Sequence, residues 1–270
     1  MIRDPLQLIL ALTTVLAIAS ISFLTKVMDI YGFVSGFFIG LVILLFGGWS
    51  WFTVLLAFFV SASLLTRYKS ELKYHLGIGE GGATRSWENV IANGSVAALF
   101  AVGYGFTSFT PFALGYLGAI GTATADTFAT EVGLLNPYEP RLITDLSRKV
   151  PAGTSGAISP YGEIASLLGA GLVSSIAVLT NFPALNKEST FLIVVTASFM
   201  GSTFDSLLGA TAQACYRCTV CGSLTEKRVH CNAPTAHFYG KRFIDNNLVN
   251  LLATTFGGVL ASGLYIIVHT

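Results

Sequence analysis

The chain has 270 residues, 53% of them hydrophobic and only 11% charged, with a formal net charge of +1. A soluble domain carries about 25% charge, so this composition excludes a water-soluble globular protein and predicts a polytopic membrane protein. A net charge this close to zero leaves no electrostatic footprint for nucleic acid, so the information lies in where the charges fall.

Apolar stretches of spanning length run over 6–25, 30–47, 49–66, 88–106, 111–135, 160–180, 190–212 and 247–268. The pattern predicts an all-α fold, a polytopic transmembrane bundle of eight spans forming one domain over 1–270. A cysteine-rich insert interrupts it at 213–246. Spans two and three are separated only by Gly47 and Gly48. Eight spans put the loops after spans one, three, five and seven on one side. That side holds Lys26, Arg67, Lys69, Lys73, Arg85, Arg141, Arg148, Lys149, Arg217, Lys227, Arg228, Lys241 and Arg242, against Arg3 and Lys187 on the other. Basic loops stay in the cytosol, so both termini are expected outside and loops 67–87, 136–159 and 213–246 inside. A signal peptide cleaved near Ala17-Ile18-Ala19 would export those basic loops and is not expected.

Residues 1–66 carry Ser, Thr and Gly among Leu, Ile and Phe, the composition of a scaffold that packs on small residues and faces lipid. The first long loop ends in GIGEGGATR, either a flexible linker or backbone N–H groups wrapped round an anion. Arg85, Asn89 and Asn93 follow it at a spacing of four, on one helical face.

Span five contains GTATADTFATEVG, with Asp126 and Glu131 in an otherwise apolar run. A carboxylate at bilayer depth costs about 3 kcal/mol on insertion scales, so it needs a partner or a task. Thr122, Asp126 and Thr130 share a face, and Asp126 is expected about 15 Å below the helix end. The following loop holds Arg141, Arg148, Lys149 and the stretch PAGTSGAIS. Gly153, Thr154, Ser155 and Gly156 form either a plain turn or a nest of N–H groups and hydroxyls for a phosphate beside the start of span six. No GxxxxGK[ST] pattern is present, so it is not a P-loop.

Span seven reads SFMGSTFDSLLGATAQ, with Ser198, Ser202, Asp205, Ser206, Gly209 and Gln213 stepping along one face. Asp205 is expected about 10 Å from the helix end. Span eight begins with Asp245 and Asn246 and continues through Asn250 and Thr254. Polar faces of four helices thus meet at one leaflet. Asp126, Glu131, Asp205 and Asp245 are candidate Mg²⁺ ligands, and Arg85, Arg141, Arg148, Lys149, Lys241 and Arg242 are candidate phosphate partners.

All four cysteines fall between 215 and 231, with His230 and His237 nearby. In a reducing compartment such spacing predicts a metal site rather than disulfides. Cys218, Cys221 and Cys231 are the expected ligands of a structural Zn²⁺, with His230, Cys215 or His237 as the fourth.

The motifs ATADTFATEVG, VPAGTSGAISPYGEIASLLGAG, GSTFDSLLGATAQ and DNNLVNLLAT stand in that order between residues 81 and 258. In this they resemble the integral-membrane family that includes phytyl-phosphate kinase of tocopherol biosynthesis. The resemblance implies phosphoryl transfer from a nucleoside triphosphate, with CTP the donor used by related polyisoprenol kinases, to an isoprenyl monophosphate such as phytyl or geranylgeranyl phosphate. Asp126, Asp205 and Glu131 would be catalytic. Arg85, Asn89, Asn93, Arg141, Lys149, the Gly153–Gly156 turn, Asp245, Asn246 and Asn250 would hold substrate and nucleotide. Family members vary in the cysteine insert, which implies a structural role for it, with Cys218, Cys221, His230 and Cys231 as ligands and Cys215 outside the pattern. Two other readings suit parts of the sequence: a CTP-dependent cytidylyltransferase on a lipid phosphate, and a transporter or flippase of an anionic isoprenoid lipid. The expected partners are the lipid phosphate, the nucleotide and the bilayer, without nucleic acid; a homodimer is compatible with the sequence but not specified by it.

Overall fold

A computed structural model describes residues 2, 4–68, 84–180, 182 and 186–269. Eight helices are present among them: α1 (Pro5–Leu24), α2 (Ile30–Gly47), α3 (Trp49–Arg67), α4 (Trp87–Thr107), α5 (Thr110–Gly133), α6 (Pro160–Leu179), α7 (Lys187–Thr211) and α8 (Asn246–His269). The glycine-rich stretch before Ala83 lies outside the described residues. The chain is an integral membrane protein of the multi-pass helical class, with seven of these helices long and apolar enough to cross a bilayer.

Local chemistry sets the helix boundaries. Asp4, Asp29, Ser159, Asn186 and Asp245 each accept a backbone N–H of the first turn of the helix they precede. Pro5, Pro111 and Pro160 stand in first turns, where their missing N–H costs nothing. Gly48 alone separates α2 from α3, at φ +89°. That left-handed conformation suits a residue without a side chain and turns the chain back in one step.

The exception among the eight helices is α5, which sits at the centre. It packs against α3, α4, α6, α7 and α8, and every residue from Ala113 to Ala125 is buried. A helix surrounded by protein need not be as apolar as lipid, and its sequence is correspondingly rich in Gly, Ala and Thr. Close backbone approach requires those small residues. A Cβ on Gly118 would strike the Gly257 carbonyl of α8, and one on Gly121 would strike the Ser198 hydroxyl of α7. On the α6 side, a Cβ on Gly162 would stand 3.0 Å from the Ala129 carbonyl. In contrast, α1 packs mainly on α2 and leaves Leu6, Ile9, Leu16 and Leu24 exposed, as a lipid-facing helix should.

The two ends of the bundle differ. At one end, Trp51 is fully buried, with its ring 5.0 Å from Tyr104, 4.5 Å from Tyr116 and 4.8 Å from Phe182. The Tyr116 hydroxyl donates to the Trp51 carbonyl at 2.6 Å. At the other end the connections after α1, α3, α5 and α7 gather. Met28 bridges to Arg85, whose N–H donates to Val27 O at 2.8 Å. The sequence reading leaves the connections after α5 and α7 as loops, whereas the structure builds two antiparallel sheets from them. Strands β1 (Arg141–Leu142), β2 (Asp145–Lys149) and β3 (Ala157–Ile158) take the order β2-β1-β3. Strands β4 (Cys215–Cys218), β5 (Leu224–Thr225), β6 (Val229–His230) and β7 (Ala233–Tyr239) take the order β5-β4-β7-β6. The two- to seven-residue strands carry no spanning-length apolar signal, which is why the reading at helical scale passes over them.

Candidate functional site

Asp126 stands on α5 where its continuous burial ends, and Asp205 on the facing stretch of α7. Both are half-buried, and their carboxylates interact electrostatically. Asp205 Oδ2 is sealed from solvent and has no hydrogen-bond partner among the described residues. A buried carboxylate oxygen left in that state costs about 1–3 kcal/mol or more, which a bound cation or donor would recover.

The GTSG turn seats on α7 beside this pair. Gly153 and Gly156 have φ of +82° and +75°. Gly156 lies against α7 so closely that a Cβ would stand 2.6 Å from Ser206 O and would also strike the Ala210 N–H. Reciprocally, a Cβ on Gly209 would stand 2.9 Å from the Gly156 nitrogen. The Thr154 hydroxyl donates to Pro151 O at 2.7 Å and so closes the turn on itself. Ser155 faces the other way, and its hydroxyl donates to Glu226 Oε1 at 2.6 Å.

Glu226 was missed by the sequence reading. It lies between β5 and β6 in the insert, and its carboxylate interacts with both Asp126 and Asp205. In sequence it looks like a solvated charge in LTEKRVH; the one available signal is that it is the single carboxylate between Asp205 and Asp245.

The remaining predicted residues separate. Glu131 lies in the field of Arg85. The Arg85 guanidinium stands over Phe58 and Phe59, 5.4 and 5.7 Å from their ring centroids, and burial pulls its pKa down to about 10 against the opposing effect of Glu131. Asn93 donates to Asn89 O at 2.9 Å within α4. Asp245 caps α8 by accepting from Leu248 N at 2.9 Å, and Asn246 opens that helix. Asn250 is buried, and its carbonyl accepts from Thr254 at 2.9 Å. Arg141 and Lys149 pair across β1 and β2 and are exposed, and Arg141 donates to Leu146 O. Asp126, Asp205 and the turn are brought together, then, while Glu131 and Asp245 have other partners.

The insert holds a second cluster. The donor atoms of Cys218, Cys221, His230 and Cys231 lie within 4.8 Å of one another, close enough to hold a metal ion. His230 Nδ1 is 3.5 Å from Cys221 Sγ and 3.3 Å from Cys231 Sγ. Cys218 Sγ accepts the N–H groups of Val220 at 3.4 Å and Cys221 at 3.5 Å. The Cys221 N–H draws the Cys218 thiol below its ordinary pKa, and Ser223 does the same for Cys221. Its hydrogen bond with Cys221 pushes Cys231 up to about 11. Of the three sequence candidates for a fourth donor, His230 joins the cluster. His237 instead contacts Gly240 O at 3.1 Å, and Cys215 is buried beside Tyr239, burial raising its pKa.

An uncharacterized membrane protein of Methanocaldococcus jannaschii is 30% identical over 241 residues, covering 89% of this chain and 87% of that one. Protein PGR of Arabidopsis thaliana is 27% identical over 281 residues, covering 95% of each chain. Protein VTE6, chloroplastic, of the same plant is 24% identical over 237 residues, covering 85% of this chain and 63% of its own length. No solved structure matches. The model of the family described as "Integral membrane protein DUF92" matches residues 13–258, spanning the central helix, both sheets and the acid pair, and the chain belongs to that family.

Proposed function

We propose that the protein transfers a phosphoryl group from a nucleoside triphosphate, with CTP the first candidate, to an isoprenyl monophosphate, giving the diphosphate. The observation that carries this reading is the Asp126–Asp205 pair beside the GTSG turn, with one carboxylate oxygen of Asp205 buried and without a partner among the described residues. Hard carboxylate oxygens suit Mg²⁺. The residues that would hold it are Asp126 and Asp205, and bound there it would neutralise charge on the donor phosphates. The resemblance of the motifs to the phytyl-phosphate kinase family supplies the reaction class.

In this reading an oxygen of the lipid phosphate attacks the γ-phosphorus and the nucleoside diphosphate leaves. The attacking oxygen is already ionised at neutral pH, so no strong general base is required of the chain. Its task is to position two anions and offset their repulsion. The lipid chain would lie between helices with its phosphate at the level of Asp126, and the nucleotide would approach from the basic end. The excess of Lys and Arg in the connections after α1, α3, α5 and α7 in the sequence supports a cytosolic position for that end, with both termini outside. The Cys218, Cys221, His230 and Cys231 cluster suits Zn²⁺, whose preference is for sulfur and imidazole in a tetrahedron. The aromatic cluster of Trp51, Tyr104, Tyr116 and Phe182 packs the far end of the bundle around α5, which favours the enzyme reading over transport along that helix.

The test is incubation of purified protein with isoprenyl monophosphates and labelled CTP, ATP, GTP and UTP. A lipid diphosphate with nucleoside diphosphate is the expected product pair. A CDP-lipid with diphosphate would identify a cytidylyltransferase, and no turnover of any pair would overturn the enzyme reading. Asp126→Asn and Asp205→Asn should each lower the rate about a hundredfold, the scale of losing one critical electrostatic contact. Both variants should stay monodisperse, since Asn lowers the cost of burying that position.

A further inference from the structure

We infer that Glu226 is the third carboxylate of the intramembrane acid site, and that the Cys218–Cys221–His230–Cys231 cluster is the clasp that delivers it there. The inference rests on the phosphoryl-transfer reading of the Asp126–Asp205 pair and assigns that site a residue and a means of control.

Three observations converge. Glu226 interacts electrostatically with both half-buried acids, although it belongs to a different part of the chain from either. Its Oε1 is fixed by the Ser155 hydroxyl at 2.6 Å, so the turn on α7 and the insert meet at this one carboxylate. Asp205 Oδ2 is buried without a hydrogen-bond partner among the described residues, a need that a cation would meet. Bringing a third carboxylate toward two others is repulsive and would not persist in a fold without something to hold it there.

The cluster supplies that hold. Cys218 closes β4 and His230 closes β6, so the segment carrying Glu226 leaves from one candidate ligand and returns to another. Within it, β5 ends at Thr225, paired with Tyr216 of β4, and places Glu226 next in line. A metal ion joining Cys218, Cys221, His230 and Cys231 therefore fixes both ends of the excursion. The base of the insert is already zipped to the end of α7, through Lys241 N to Ala212 O at 2.9 Å and Ala214 N to Ile244 O at 2.8 Å. Loss of the metal would leave the segment held by its short strand pairings and the Ser155 hydrogen bond, and so would loosen the placement of Glu226. Its role is as a hard oxygen ligand, direct or through water, to a divalent cation shared with Asp126 and Asp205.

Mn²⁺ binding to the purified full chain, followed by electron paramagnetic resonance without lipid or nucleotide, reads this independently of turnover. Glu226→Gln should weaken Mn²⁺ binding about ten- to a hundredfold. Ser155→Ala should weaken it less, and the double variant should bind no worse than Glu226→Gln alone, because both act through one carboxylate. Cys221→Ser should weaken it as well, and adding Cys221→Ser to Glu226→Gln should bring no further loss. If Glu226→Gln binds Mn²⁺ like the native protein while Asp205→Asn does not, Glu226 is no part of the site and the reading of the acid pair stands. If Cys221→Ser alone leaves Mn²⁺ affinity unchanged, the clasp is refuted. If Asp126→Asn and Asp205→Asn both bind Mn²⁺ normally, the acid pair itself is misread and the inference falls with it.

Discussion

Asp126 and Asp205 were legible as residues because charge in an apolar run is expensive and therefore rare, so each stands out without any knowledge of its neighbours. What the sequence could not convey was which acids meet. Glu131 is five positions from Asp126, about 140° around the helix, and the structure sets it in the field of Arg85. Glu226, in a polar stretch where a carboxylate costs nothing, looks inert, yet it interacts electrostatically with the pair. Residue-scale reasoning finds unusual groups and misses ordinary groups in unusual places. Gly156 is a further instance: its sequence context allowed a phosphate nest, and the structure gives it a packing task against α7. Gly156→Ala would combine a left-handed φ of +75° with a collision against Ser206 O and the Ala210 N–H. The expected cost is about 1–3 kcal/mol, visible as a lower melting temperature, with activity falling further because Ser155 shifts with the turn. A variant that melts and turns over like the native chain would show that the turn is not clamped as described.

The elements themselves were read closely. Long apolar runs and their capping residues are local signals, so the eight spans fall within a few residues of the observed helices. The short strands were not readable, because two to seven residues with register fixed by partners elsewhere in the chain leave no periodic trace. Nor was the rank of the helices. The sequence singles out span five for its acids, whereas the structure singles it out for its burial from Ala113 to Ala125. That burial depends on glycine at the crossings with α4, α6, α7 and α8. In Gly118→Val the new side chain would meet the Gly257 carbonyl and the Ala261 methyl, and overpacking of this kind costs about 1–3 kcal/mol or more. Melting in detergent should show the loss, while Ile9→Ala on exposed α1 should leave the transition where it was.

At the scale of the molecule, a scaffold of lipid-facing helices surrounds one buried helix, and two small sheets roof one end of it. In the second sheet β4 buries Cys215, Tyr216 and Cys218, whereas β5, β6 and β7 alternate between half-buried and exposed residues and add little apolar burial. A metal ion held by the Cys218, Cys221, His230 and Cys231 cluster would add stability to such a small sheet. Elemental analysis of untagged protein should find about one Zn²⁺ per chain, lost in Cys218→Ser and retained in Cys215→Ser, whose thiol lies apart beside Tyr239. Equal retention in both would remove the cluster from the account.

The central position of α5 also bears on how the chain is made. Helices leave the ribosome in order, and each is judged for bilayer insertion largely on its own hydrophobicity. The helix that carries Asp126 is the one of the eight that is not apolar enough by that measure, and three of its packing partners, α6, α7 and α8, emerge after it. On its own it meets lipid with the very surface that the finished protein hides. Chains truncated after Asn136 should therefore fail to hold this segment across the membrane, with a reporter fused at their end scoring on both sides. Extension through Thr270 should restore a single orientation. The feature that keeps the site away from lipid thus makes its birth depend on helices not yet synthesised.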